Sequence, residues 1–167
     1  MNVLPLLFAI ATATELKTPT GTLHGTLLAP ESKKPVPVVL IISGSGPTDR
    51  DGNSAILPGK NDSLKMLAEG LAAKGIASLR YDKRGIGESA GAMTAEKDLR
   101  FETYIDDAAA WAAKLKKDPR FSRVVIAGHS EGSLIGMVAA QKGAAAAYVS
   151  IAGLARPADA VDRKSVV

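Results

Sequence analysis

The chain has 167 residues, 46% of them hydrophobic, enough for one domain with a real core. Its formal net charge of +4 comes from scattered pairs such as Lys33-Lys34, Lys116-Lys117 and Arg163-Lys164, with no basic run and no interleaved aromatics, which argues against a nucleic-acid partner. There is no cysteine, which excludes disulfides, thiolate catalysis and zinc–cysteine sites, and no apolar stretch long enough for stable membrane insertion.

Met1 to Ala13 is apolar and closes on Ala11-Thr12-Ala13, a small-x-small pattern. It reads as the later part of a secretory leader without the usual basic start. Residues 1–13 are therefore expected to be a leader, 14–167 the folded domain, and the protein periplasmic or secreted. A first strand or a packed helix, in a cytoplasmic protein, is the alternative. Gly21 to Leu28 partly alternates and predicts an antiparallel edge strand ending at Pro30. Val36 to Ile42 is a nearly continuous β-branched run, the pattern of a strand covered on both faces. A polar loop, Ser43 to Asn61, follows. Asp62 is expected to cap a helix reaching Lys74, with Leu64, Leu67, Ala68 and Leu71 on one face and Gly75 beyond its end. Ile76 to Tyr81 predicts a strand and Asp82 to Met93 a loop. Phe101, Tyr104, Ile105, Ala108, Trp111, Ala112 and Leu115 mark an amphipathic helix. A strand at Val124–Ala127, a helix at Glu131–Lys142 and a strand at Ala146–Ile151 complete the series. Strands alternating with helices predict an α/β domain, a mostly parallel sheet with helices on both faces.

The chemistry concentrates at Gly128-His129-Ser130-Glu131-Gly132, between a strand pattern and a helix pattern. A serine at a sharp strand-to-helix turn needs glycine two residues before and two after, because the turn brings backbone segments together. The helix behind it aims N–H groups and its positive dipole end at any negative charge that forms there. Ser130 is thus a candidate nucleophile. Acyl transfer also needs donors for an oxyanion. The Glu131 backbone N–H is one, and the loop Ser43-Gly44-Ser45-Gly46-Pro47 after the Val36–Ile42 strand can supply another, with Ser45 the expected donor and Gly44 and Gly46 letting the backbone turn inward. Asp49 and Arg50 beside this loop could meet a charged end of a substrate, or could simply tie the loop together. The plainer reading of both segments is a tight glycine turn and a flexible connection. Nucleotide cofactors do not fit: a dinucleotide fingerprint requires glycine where Asp49 stands, and a phosphate-cradling loop fails at Ser54 and Asn61.

With these two motifs and Asp82-Lys83-Arg84-Gly85-Ile86-Gly87-Glu88-Ser89, similar to a D-x-R-G-x-G-x-S loop, the chain resembles the α/β-hydrolases over about residues 20 to 158. Gly44 to Asn53 further resembles a bacterial, often exported, branch of esterases and serine-aminopeptidase-like hydrolases. The resemblance implies a serine hydrolase of small-molecule esters or amides that needs no cofactor and no metal, with Ser130 forming the acyl-enzyme. It also implies an acid and then a histidine after later strands. The two histidines of this sequence, His24 and His129, both precede Ser130, and Asp159 and Asp162 come too early for the acid. The expectation is a C-terminally truncated hydrolase, inactive by itself. The competing reading is a non-catalytic binding or interaction domain on the same scaffold.

Overall fold

The computed structural model describes residues 8–154, apart from 94, 96 and 98. Its six strands are β1 (Ala9–Thr18), β2 (Gly21–Pro30), β3 (Val36–Ile42), β4 (Ala77–Tyr81), β5 (Phe121–His129) and β6 (Ala147–Ile151). Three helices intervene: α1 (Ser63–Ala72), α2 (Phe101–Lys116) and α3 (Glu131–Ala139). The sheet order is β1-β2-β4-β3-β5-β6. β3 pairs in parallel with β4 and β5, β5 pairs in parallel with β6, and β1 and β2 form an antiparallel end. This is the α/β architecture expected from the alternation of patterns.

The β-branched run of β3 explains how the layers assemble. Side chains alternate across a strand, so Val38, Leu40 and Ile42 join one core with Trp111 and Ile135, while Val39 and Ile41 join another with Leu64 and Ala68. The first core therefore lies under α2 and α3 and the second under α1. Trp111 is completely buried, its ring 5.8 Å from that of Tyr81. α3 approaches β5 closely because Gly136 faces it: a Cβ there would stand 2.9 Å from the Ile126 side chain.

Several boundaries differ from expectation, each for a local reason. β2 is not an edge strand, because β1 pairs along its whole length from Ala9↔Pro30 to Thr18↔Gly21. The expected leader boundary after Ala13 falls inside β1, whose residues 9–13 are exposed; residues 1–7 of the leader lie outside the described residues. α1 stops at Ala72, since Gly75 at φ +75 turns the chain toward β4. Asp62 does not cap α1 with its side chain. It sits in the left-handed region at φ 49, and the helix-start N–H groups of Leu64 and Lys65 donate instead to the Asp51 carbonyl. The predicted Glu131–Lys142 helix ends at Ala139 and passes into a wider turn over Ala140–Ala144, with Gly143 at φ 88. The expected loop after β4 contains a short 3-10 turn at Gly87–Ala92. Asp159 and Asp162 lie outside the described residues. Among those residues no helix is long and apolar enough to cross a membrane.

Candidate active site

Ser130 occupies the turn between β5 and α3, at φ 53 and ψ −120. A non-glycine residue there is strained by about 1–3 kcal/mol, and such strain persists only where the surroundings enforce it. The surroundings are on both sides. The Ser130 N–H donates to the Ile151 carbonyl of β6 at 2.9 Å, and the Ser133 N–H donates to the Ser130 carbonyl at 2.9 Å. The Ser133 hydroxyl donates to the Gly128 carbonyl at 2.5 Å, and the Tyr148 hydroxyl donates to the Ser133 carbonyl at 2.7 Å. The flanking glycines have a steric cause. A Cβ on Gly128 would overlap the Gly132 carbonyl, and one on Gly132 would lie 2.5 and 2.6 Å from the Ile42 and Ser43 carbonyl oxygens.

The loop after β3 reaches this turn. A Cβ built on Gly44 would stand 3.2 Å from His129 Nδ1 and 3.4 Å from Ser130 Cβ, so the loop lies against the elbow. Gly46 turns at φ 69 into open space. Gly44, Ser45, Leu57, Lys60, His129 and Ser130 help line a cavity of about 500 Å³. Ser45, Glu131, His129 and Ser130 are thus gathered at one end of the sheet, where β3 and β5 terminate.

Asp49 and Arg50 are placed differently from the substrate-contact expectation, and the loop-tying alternative describes them. Asp49 Oδ1 accepts the N–H groups of Asp51 and Asn53 at 2.9 and 2.8 Å. Arg50 donates through Nε and Nη2 to Asp82 Oδ2 at 3.1 and 2.6 Å, through Nη1 to Thr26 at 3.2 Å, and also to Glu88. Its backbone N–H donates to Asp82 Oδ1 at 2.7 Å. Within this cluster the Arg50 guanidinium is held in the charged form by Asp82 and Glu88, which outweigh its burial. Asn53 completes the loop: Oδ1 accepts from the N–H groups of Asn61 and Asp62, and Nδ2 donates to Asp62 at 2.8 Å.

The loop that begins at Asp82, in the sequence only a likeness to a family motif, reaches the residues around Ser130 through its side chains. Its signal was three charged residues in succession immediately after a buried strand. Gly87 at φ 48 leaves room for the Asp82 carboxylate, which a Cβ would meet at 2.5 Å. Arg84 donates to Asp107 on α2 through Nε at 2.6 Å and Nη2 at 2.7 Å. Burial pushes the Asp107 carboxyl above the ordinary aspartate range while Arg84 pulls it back. Lys83, whose side chain is 3% exposed, donates to the Gly44 carbonyl at 2.5 Å and to Glu131 Oε2 at 2.9 Å. Its ammonium also lies 5.4 Å from the centre of the Tyr104 ring.

Neither histidine is joined to the serine. His24 is on β2, separated from β5 by β4 and β3, roughly 14 Å at the usual strand spacing, and its Nδ1 faces Glu15 at 3.7 Å. His129 belongs to the elbow itself, its imidazole against Gly44. Among the described residues no hydrogen bond links either imidazole to Ser130. No group of three or more His, Cys, Asp or Glu suited to a metal ion occurs among the described residues.

A strained serine thus stands at the carboxyl end of a parallel strand, heading a helix and met by the loop of the neighbouring strand. Residues 55–165 match the family model described as "Serine aminopeptidase, S33". The chain belongs to the α/β-hydrolases. It is 36% identical over 141 residues to the esterase EstD of Thermotoga maritima, covering 83% of this chain and 32% of that protein. It therefore spans about a third of the length of this relative. Among solved structures it superposes on XC6422 of Xanthomonas campestris, described as an α/β serine hydrolase without a lid, with a TM-score of 0.64 at 27% identity, over 89% of this chain and 64% of the other. The fungal α/β-hydrolase GrgF of Penicillium sp. sh18 shares the fold with a TM-score of 0.70 at 23% identity, over 87% of this chain and 46% of the other.

Proposed function

We propose that this chain carries the nucleophile and the oxyanion hole of a serine hydrolase acting on carboxylic esters, with amides as a second substrate class. The observation that supports the reading most directly is the strained elbow at Ser130 with the Gly44–Ser45 loop packed against it. A relative that is named an esterase agrees with it. The Ser130 hydroxyl attacks the substrate carbonyl carbon while a general base takes its proton. The carbonyl oxygen, now anionic, receives hydrogen bonds from the Ser45 and Glu131 amides. Collapse of the tetrahedral species breaks the bond to the alcohol or amine, which leaves with the proton returned by the same base. Water activated by that base then releases the acid from Ser130. In this reading a histidine base and its carboxylate partner lie outside the described residues, among which neither imidazole hydrogen-bonds Ser130.

The reading extends to location: the apolar start and Ala11-Thr12-Ala13 support export with cleavage after Ala13. The functional test compares hydrolysis of p-nitrophenyl acetate by the 167-residue chain and by the polypeptide extended beyond Val167, each with and without Ser130→Ala. The extended form should show serine-dependent turnover. The short form should keep only what binding and the oxyanion hole provide, about 10³ to 10⁴ over water. Serine-dependent turnover of equal size in both forms would place the base among the residues present. If Ser130 of the extended form takes no fluorophosphonate label, the scaffold is a binding module.

A further inference from the structure

We propose that Lys83 is a positioning residue that sets the oxyanion hole by fixing the direction of the Gly44–Ser45 peptide. This inference rests on the serine-hydrolase reading and adds a residue that acts through another. Its basis is a single peptide group. The oxygen that Lys83 holds at 2.5 Å is the Gly44 carbonyl, and the N–H on the same peptide is that of Ser45, the amide expected to bind the oxyanion. There are no cis peptide bonds among the described residues, so this carbonyl and this N–H point in opposite directions. Lys83 lies buried beneath the loop and is absent from the cavity wall. Anchoring the carbonyl on Lys83 therefore turns the Ser45 N–H away from the interior, toward the cavity that Ser130 helps line.

The same ammonium donates to the side chain of Glu131, whose backbone N–H is the other oxyanion donor. One buried cation thus ties together the two segments that must present donors to one oxygen atom. Without it the peptide has an obvious alternative. Gly44 has no side chain to resist rotation, and a peptide turned over would place a carbonyl oxygen where the oxyanion forms. The Tyr104 ring near the ammonium and the 3% exposure keep water from substituting for the lysine. A charged donor is the suitable choice here, because its hydrogen bonds are roughly twice as strong as neutral ones.

The test uses the extended, active polypeptide, with sites counted by fluorophosphonate titration so that rates are per competent serine. Lys83→Met should lower kcat for p-nitrophenyl acetate by about 100-fold, the scale of a lost oxyanion donor, with KM changed by less than about threefold. A boronic acid that mimics the tetrahedral species should bind weaker in step with kcat, and Lys83→Arg should regain much of both. A role confined to folding would lower the fraction of titratable serines and leave kcat per site unchanged, and that result overturns the proposal. If Lys83→Met does not fold, Lys83→Ala decides: it removes the donor with less steric demand, and kcat per site equal to that of the wild type also overturns the proposal. Undiminished turnover in Ser130→Ala is a separate result, which removes the hydrolase reading itself.

Discussion

At Gly132 the elbow meets the strand beside it with no space for a methyl group, and what obstructs is main chain. The Ile42 and Ser43 carbonyls belong to the end of β3 and to the start of the loop that follows it, so they cannot move aside as a flexible side chain would. Gly132→Ala should therefore lower stability by about 2 kcal/mol or more and displace the loop as well. Gly46→Ala is the contrasting case: its φ of 69 is unfavourable, yet nothing lies within 4 Å of the added atom, so it should lose about 1 kcal/mol. Urea unfolding of both variants checks the order, and a larger loss at Gly46 would contradict this account. The glycines around Ser130 were legible in the sequence because the steric demand is local. The partners of Arg50 were not, since Thr26, Asp82 and Glu88 come from distant parts of the chain.

Between elements, the buried Arg84–Asp107 pair fastens the loop after β4 to α2. Arg84 also donates to the Ala92 carbonyl at 3.0 Å and to Thr20 in the β1–β2 turn, so a single side chain holds three segments. Removing one member leaves an uncompensated charge in the interior. Asp107→Leu should destabilise by about 3–5 kcal/mol, and adding Arg84→Met to it should lose much less than the sum of the two single changes. Thermal and urea unfolding of the four proteins in this cycle measure the coupling, and simple additivity would mean that the pair does not act as a unit. The helices α2 and α3 and the strands β3 and β5 were readable because hydrophobic spacing decides them. β1 was not, because its exposed apolar start carries the composition of a leader. The helix cap at Asp62 failed for a related reason. The Asp51 carbonyl arrives from the same loop and serves the helix-start donors that the carboxylate was expected to satisfy.

For the molecule as a whole, export and fold meet at β1. Cleavage after Ala13 would leave Thr14–Thr18 of this strand, paired with Gly21–Gly25, and uncover the β2 residues Thr26–Pro30 along that edge. Expression in a periplasm-competent host followed by intact-mass measurement should give Thr14 as the first residue, and a retained Met1 would contradict export by this route. The gross architecture and the strand-to-helix turn at Ser130 were legible because each is written in a contiguous stretch. The lysine that holds the Gly44 carbonyl was not, since its partners lie 39 and 48 residues away. The hydrogen bond from Ser130 to the Ile151 carbonyl carries a consequence in time. During synthesis the serine leaves the ribosome well before β6 does, and β6 is the element that completes its turn. Until Ile151 and Tyr148 have docked, nothing on that side compels Ser130 into its strained conformation. The nascent chain therefore carries Ser130 in a relaxed form, and its strained turn is set only when the last strand of the described sheet has docked.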